Sequence, residues 1–207
     1  MLDLNLATLI SRLVTLVIAF TVHEFSHAWT ADIFGDDTPR SQGRLTLNPL
    51  VHLDPIGSLL LLLFGFGWAR PVQVNTYTLE RRSRAAPMLV ALAGPLSNFL
   101  LALVVSIPVQ VGLYQLTSRR GVIVPTLSQF IFEFVLINLL LMLFNLIPVF
   151  PLDGEKILYY FLPPSGQGFL LRLRRFGTLI LIAMLFLNIF EYLIFPPMQV
   201  LLQLLLG

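Results

Sequence analysis

LNLATLISRLVTLVIAFTVHEFSHAW, residues 4–29, is the stretch on which the reading of this chain turns. Residues 4–20 are apolar apart from Asn5, Thr8, Ser11, Arg12 and Thr15, and His23-Glu24-Phe25-Ser26-His27 follows at the C-terminal end of this run. An apolar run of about 20 residues is long enough to cross a bilayer as a helix. Histidines four apart on a helix share one face, so both imidazoles can hold a single ion. The glutamate beside the first histidine sits about 100° round the helix, within reach of a water on that ion. The competing structural reading, two packing histidines, leaves two imidazoles and a carboxylate near lipid with nothing to compensate them. Ionisable residues in an apolar span are costly and mark a task.

Composition widens this to the whole chain. It is 57% hydrophobic and 12% charged, with a mean hydropathy of +0.85. A soluble domain of 207 residues has no use for that much apolar surface, so the expected class is an all-α polytopic membrane protein. One membrane-embedded domain is expected over residues 1–207, with a core over about 4–160 and C-terminal helices over about 168–207. A net charge of +2 gives no footprint for nucleic acid. With no cysteine, disulfides, thiolate ligands and thiol nucleophiles are excluded, and His, Asp and Glu remain as metal ligands. Met1-Leu2-Asp3-Leu4-Asn5 lacks a basic n-region and no small-residue cleavage site follows, so the first helix reads as retained.

Four segments, about 4–29, 87–116, 126–147 and 176–195, have spanning length, within a bundle of about four to six transmembrane helices. Residues 56–68 are too short to cross and are bracketed by Gly57, Gly65 and Gly67, which predicts a re-entrant segment. Residues 198–206 form an apolar tail after Pro196-Pro197. Trp68-Ala69-Arg70-Pro71-Val72-Gln73-Val74-Asn75 alternates apolar and polar residues, which predicts a short edge β-strand or hairpin beside the site. Such an edge could pair with an extended peptide through Pro71, Val72 and Val74.

A catalytic zinc site needs a third protein ligand and an open position. Asp153, in Asn145-Leu146-Ile147-Pro148-Val149-Phe150-Pro151-Leu152-Asp153-Gly154, is the best candidate: the prolines break the preceding helix and Gly154 permits a tight turn. Capping the next helix is its alternative role. His52 and Asp54 are competing ligands, although His52-Leu53-Asp54-Pro55 reads as a structured turn. If Asp153 joins the histidines, 87–116 and 126–147 must be the only crossings between them. That topology puts Arg40, Arg44, Arg70, Arg81, Arg82, Arg84, Lys156, Arg172, Arg174 and Arg175 on the histidine side and only Arg119 and Arg120 opposite. The positive-inside rule then turns the site toward the cytoplasm.

Further motifs occur in order: Gly43-Arg44-Leu45-Thr46-Leu47-Asn48-Pro49, His52-x-Asp54-Pro55-x-Gly57, Gly67-Trp68-Ala69-x-Pro71-Val72-x-Val74-Asn75, and Ala93-Gly94-Pro95-Leu96-Ser97-Asn98. Together with His23-Glu24-x-x-His27 and Asn145-x-x-Pro148-x-x-Pro151-Leu152-Asp153-Gly154, they cover about residues 20–160. In this the sequence resembles the site-2 protease family of intramembrane zinc metalloproteases, particularly its short prokaryotic members without a PDZ domain. The resemblance implies one zinc ion on His23, His27 and Asp153, Glu24 as general base, and Asn145 positioning the substrate or polarising its carbonyl. Asn98 is a further substrate-binding or oxyanion candidate, with interhelical packing beside Gly94 as its alternative. The implied substrate is a transmembrane protein, and the implied location a prokaryotic cell membrane. Glu155 departs from the family's usual second glycine after Asp-Gly. Two alternatives stand beside this reading. Two histidines and a carboxylate also suit iron or manganese, and a metal transporter would show midplane sites and internal repeats, which this sequence lacks.

Overall fold

The computed structural model describes residues 5–64, 69–119 and 121–207. The described residues form α1 (Leu6–Ile33), α2 (Thr38–Ser41), α3 (Pro49–His52), α4 (Pro55–Phe64), α5 (Thr76–Arg82), α6 (Ala86–Gln110), α7 (Leu127–Asn145), α8 (Asp153–Phe161), α9 (Pro164–Leu173), a 3-10 turn (Arg174–Phe176), α10 (Gly177–Phe186) and α11 (Ile189–Leu206). Four of these, α1, α6, α7 and α11, are long and apolar enough to cross a membrane. The all-helical expectation therefore holds over the described residues.

Side-chain caps open two of the long helices, and apolar stripes set the outward faces of α1 and α6. The Asn5 side chain accepts the Thr8 N–H and opens α1; the Thr126 side chain does the same for α7 through Gln129. On α6, Leu96, Leu100, Val104 and Ile107 are exposed at helical spacing, and Ile10, Leu13, Val14 and Ile18 do likewise on α1. Such stripes belong against lipid. The opposite faces carry small or shape-filling residues. Leu16, Ala19 and Phe20 of α1 pack against Ile137 and Leu141 of α7. Ala102 of α6 joins Ile131, Val135 and Leu139 of α7, with Ile194, Met198 and Leu205 of α11 closing the same core. Helices α1, α6 and α7 thus form the centre, α11 flanks it, and α8 packs on α6.

Three expectations need revision. No strand occurs among the described residues. Residues 69–75 form an arm whose backbone donors go elsewhere than to a ladder: Arg70 N–H to the His52 carbonyl, Val72 N–H to Glu24 and Asn75 N–H to Asp36. Trp68 lies outside the described residues. In place of the re-entrant segment expected over 56–68, the described residues show only the ten-residue helix α4, too short to cross, and residues 65–68 also lie outside them.

The 176–195 span is not one helix. Asn188 takes a left-handed conformation (φ 54°) between α10 and α11, which asparagine tolerates better than most residues. Helix α11 then runs through Pro196-Pro197, so the tail after the prolines belongs to the fourth long helix. In an apolar setting, helix-interior prolines are tolerated when neighbouring helices support the backbone.

Candidate metal centre

His23 and His27 lie on the inner face of α1, one turn apart and both buried. His27 Nδ1 is 2.7 Å from the Val90 carbonyl of α6, and His23 Nδ1 is 2.6 Å from Asn98 Oδ1 on the same helix. A carbonyl oxygen only accepts, so each Nδ1 carries the proton and each Nε2 is turned inward. The α7–α8 connection brings Asp153 to the same point. Its Oδ2 lies 3.3 Å from His23 Nε2 and 3.2 Å from His27 Nε2, and the two Nε2 atoms are 3.1 Å apart.

Three lone-pair atoms aimed at one point repel unless a proton or cation lies between them. Ligands about 2.0–2.1 Å from a tetrahedral ion stand about 3.3 Å from one another, which matches the spacing seen here. Gly94 of α6 supplies the room. A Cβ at that position would overlap His27 Nε2 and come within 2.6 Å of His23 Nε2. Among the described residues, His23, His27 and Asp153 form the one group of three or more such side chains able to hold a metal ion. The residues present therefore fit a single zinc-like cation.

The start of α8 is set by its neighbours. Asp153 is the first helical residue, with Leu152 as the cap, so it occupies the first turn rather than the capping position. Gly154 is needed for close approach and not for a special turn: a Cβ there would overlap the Leu146 carbonyl. Glu155, in place of the second glycine, is buried and bonded to Arg174 at 2.7 and 3.0 Å, tying α8 to the 3-10 turn.

A cavity of about 330 Å³ opens beside the cluster, lined by Glu24, Val72, Asn145 and Lys156 among others. Glu24 Oε2 accepts the Val72 N–H at 2.9 Å. Pro71, Val72 and Val74 all line this cleft. Asn145 does too, with its Nδ2 donated to the Leu141 carbonyl at 2.9 Å. Asn98 stands elsewhere. It is fully buried behind His23, its Nδ2 donating to the Ala19 carbonyl and to Asn138 Oδ1, so both ends of its amide are taken. His52 and Asp54 are not in the cluster: His52 Nε2 donates to the Thr46 carbonyl, and Asp54 caps α4 through the Ile56 and Gly57 N–H groups.

Sequence reasoning passed over two residues and gave a third only a packing role. Lys156 lines the cleft with Nζ 3.5 Å from Asp153 Oδ1, and its i,i+3 spacing from Asp153 was the available signal. Asp36, almost fully buried, accepts the Asn75 and Thr38 N–H groups and so moors the arm to the end of α1. The third is Gly94.

The chain is similar to several proteins named as zinc metalloproteases. The chain is 39% identical over 193 residues to "Putative zinc metalloprotease YwhC" of Bacillus subtilis, covering 90% of this chain and 84% of that one. It is 31% identical over 178 residues to "Putative zinc metalloprotease Rip2" of Mycolicibacterium smegmatis, covering 82% of this chain and 64% of the relative's length. With "Putative zinc metalloprotease MJ0611" of Methanocaldococcus jannaschii it shares 31% identity over 160 residues, 75% of this chain and 73% of the relative. No family model and no solved structure matches the chain.

Proposed function

The chain belongs to the site-2 protease family of zinc metalloproteases, and from that premise we propose that it hydrolyses peptide bonds of membrane-spanning substrates with Glu24 as general base. The observation that carries this is the convergence of His23 Nε2, His27 Nε2 and Asp153 Oδ2 within 3.3 Å, beside a cleft that Glu24 lines. The cleft sits in a bundle whose outer helix faces are apolar. His23 lies 17 residues after the start of α1, about 25 Å along a helix rising 1.5 Å per residue. Against a hydrocarbon layer of about 30 Å, that depth is inside the bilayer and close to one surface. The arginine distribution supports a cytoplasmic orientation for that surface, in a prokaryotic cell membrane.

His23, His27 and Asp153 would hold the zinc, which would supply Lewis-acid chemistry, making water nucleophilic near neutral pH and polarising a carbonyl. The protein's own groups do the rest. The Val72 N–H fixes Glu24 through Oε2, and Oε1 is the oxygen that takes a proton from the attacking water and returns it to the leaving nitrogen. Asn145, at the rim of the cleft, exchanges its bond to the Leu141 carbonyl for one to the substrate carbonyl. A substrate helix conceals its peptide bonds and must unwind locally. The arm of residues 69–75, already moored to Asp36 and Glu24, offers it backbone partners in exchange.

The test is cleavage of a reporter membrane protein by the purified chain in proteoliposomes. Removing metal with 1,10-phenanthroline should stop cleavage, and about one zinc per chain should restore it. Undiminished cleavage by metal-free protein contradicts the reading, and restoration by iron or manganese but not zinc contradicts its metal.

A further inference from the structure

A continuous chain of buried side chains lies behind His23 and crosses three helices. At its far end, on α7, the Phe134 carbonyl accepts from Asn138 Nδ2 at 2.9 Å. Asn138 Oδ1 therefore faces the other way, and Asn98 Nδ2 of α6 donates to it at 3.0 Å. The same Asn98 nitrogen reaches the Ala19 carbonyl of α1 at a longer 3.3 Å. Asn98 Oδ1 is then left to face His23 Nδ1 at 2.6 Å. Asn98 and Asn138 are both 0% exposed, so no water competes for these groups.

A backbone carbonyl cannot donate, and this gives the chain one consistent arrangement of protons. Rotating the Asn98 amide would set its oxygen against two acceptors and its –NH2 against His23. The imidazole would then have to accept at Nδ1 and carry its proton on Nε2. That is the atom turned toward His27 and Asp153, and a protonated nitrogen cannot bind a metal. His27 takes its orientation from the Val90 backbone and needs no such relay.

We propose that Asn138 is a positioning residue: it holds the Asn98 amide in one orientation and so fixes the His23 tautomer that leaves Nε2 free to ligate. This rests on the reading of His23 as a metal ligand. Without Asn138, only the long bond to Ala19 orients Asn98. Outer partners of metal-bound histidines typically change metal affinity by about 10–100-fold.

The experiment measures zinc affinity by chelator competition in detergent, together with ¹⁵N-histidine spectra of the metal-free protein at alkaline pH. N138L should bind zinc about 10–100-fold more weakly, and its His23 should shift toward the Nε2–H tautomer. In N138D a buried, neutral carboxyl can both accept from Asn98 and donate to Phe134, so affinity should stay within about threefold of wild type. On an N98A background, N138L should cost no further affinity. Equal losses in both backgrounds, or an N138L protein whose His23 keeps its proton on Nδ1, would overturn the proposal. So would a wild-type spectrum showing the His23 proton on Nε2, a test that needs no variant to fold. A wild-type chain that binds no zinc would instead overturn the metal-site reading, with the tautomer spectra still deciding the relay.

Discussion

The backbone N–H of Val72 donates to Oε2 of Glu24 at 2.9 Å, so the loop arm and the carboxylate beside the histidines are parts of one construction. This separates two substitutions that look alike. Proline at Val72 removes the N–H that holds Glu24, and a hydrogen bond to a charged group is worth about 1.5–3 kcal/mol. V72P should therefore lower kcat about 10–100-fold. Proline at Val74 spares that bond and alters only the arm's capacity to pair with a peptide. V74P should raise KM for a membrane reporter while zinc affinity stays unchanged. Steady-state kinetics in proteoliposomes would show it, and an unaltered KM would dismiss substrate pairing with the arm.

Gly94 predicts a divergence between stability and metal binding. Alanine is favoured over glycine in a helix by about 1 kcal/mol, so G94A should not weaken α6 as a helix. Its Cβ, however, occupies the space beside both Nε2 atoms. G94A should keep its helical signal in detergent and lose at least about tenfold in zinc affinity, since close packing leaves the imidazoles no second position. Metal titration beside circular dichroism on one preparation checks both halves.

The ion pair behind Asp153 should respond asymmetrically. The Glu155 side chain is 2% exposed and that of Arg174 39% exposed. R174M strands a buried carboxylate, whereas E155Q strands a guanidinium that water already reaches. With the charge partly screened, R174M should cost about 1–3 kcal/mol and E155Q less than about 1 kcal/mol. Because α8 carries Asp153, R174M should also weaken zinc binding more than E155Q does. Equal destabilisation would mean that the bond does not anchor α8.

What the chain disclosed in advance follows from which signals survive tertiary packing. An i,i+4 histidine pair shares a face on any helix, so His23 and His27 could be paired without knowing their neighbours. Long apolar runs announced α1, α6 and α7 for the same reason. Alternation in residues 68–75 was a weaker signal, because a strand exists only where a ladder partner does, and here Asp36 and Glu24 took the donors. Averaged hydropathy concealed the turn at Asn188, and Pro196-Pro197 read as a terminus where α11 in fact continues. Gly94 and Asn98 carry chemistry decided by which faces of α1 and α6 meet, and no local pattern records that.

The central claim is that Glu24 moves the proton while His23, His27 and Asp153 hold the metal. Its most direct measurement is E24Q, assayed on one preparation for zinc content and for cleavage of a reporter membrane protein. Glutamine keeps an oxygen for the Val72 N–H but is a poor base. The account predicts about one zinc per chain, as in wild type, with cleavage reduced by at least about 10²-fold. Cleavage at the wild-type rate with zinc in place would contradict it.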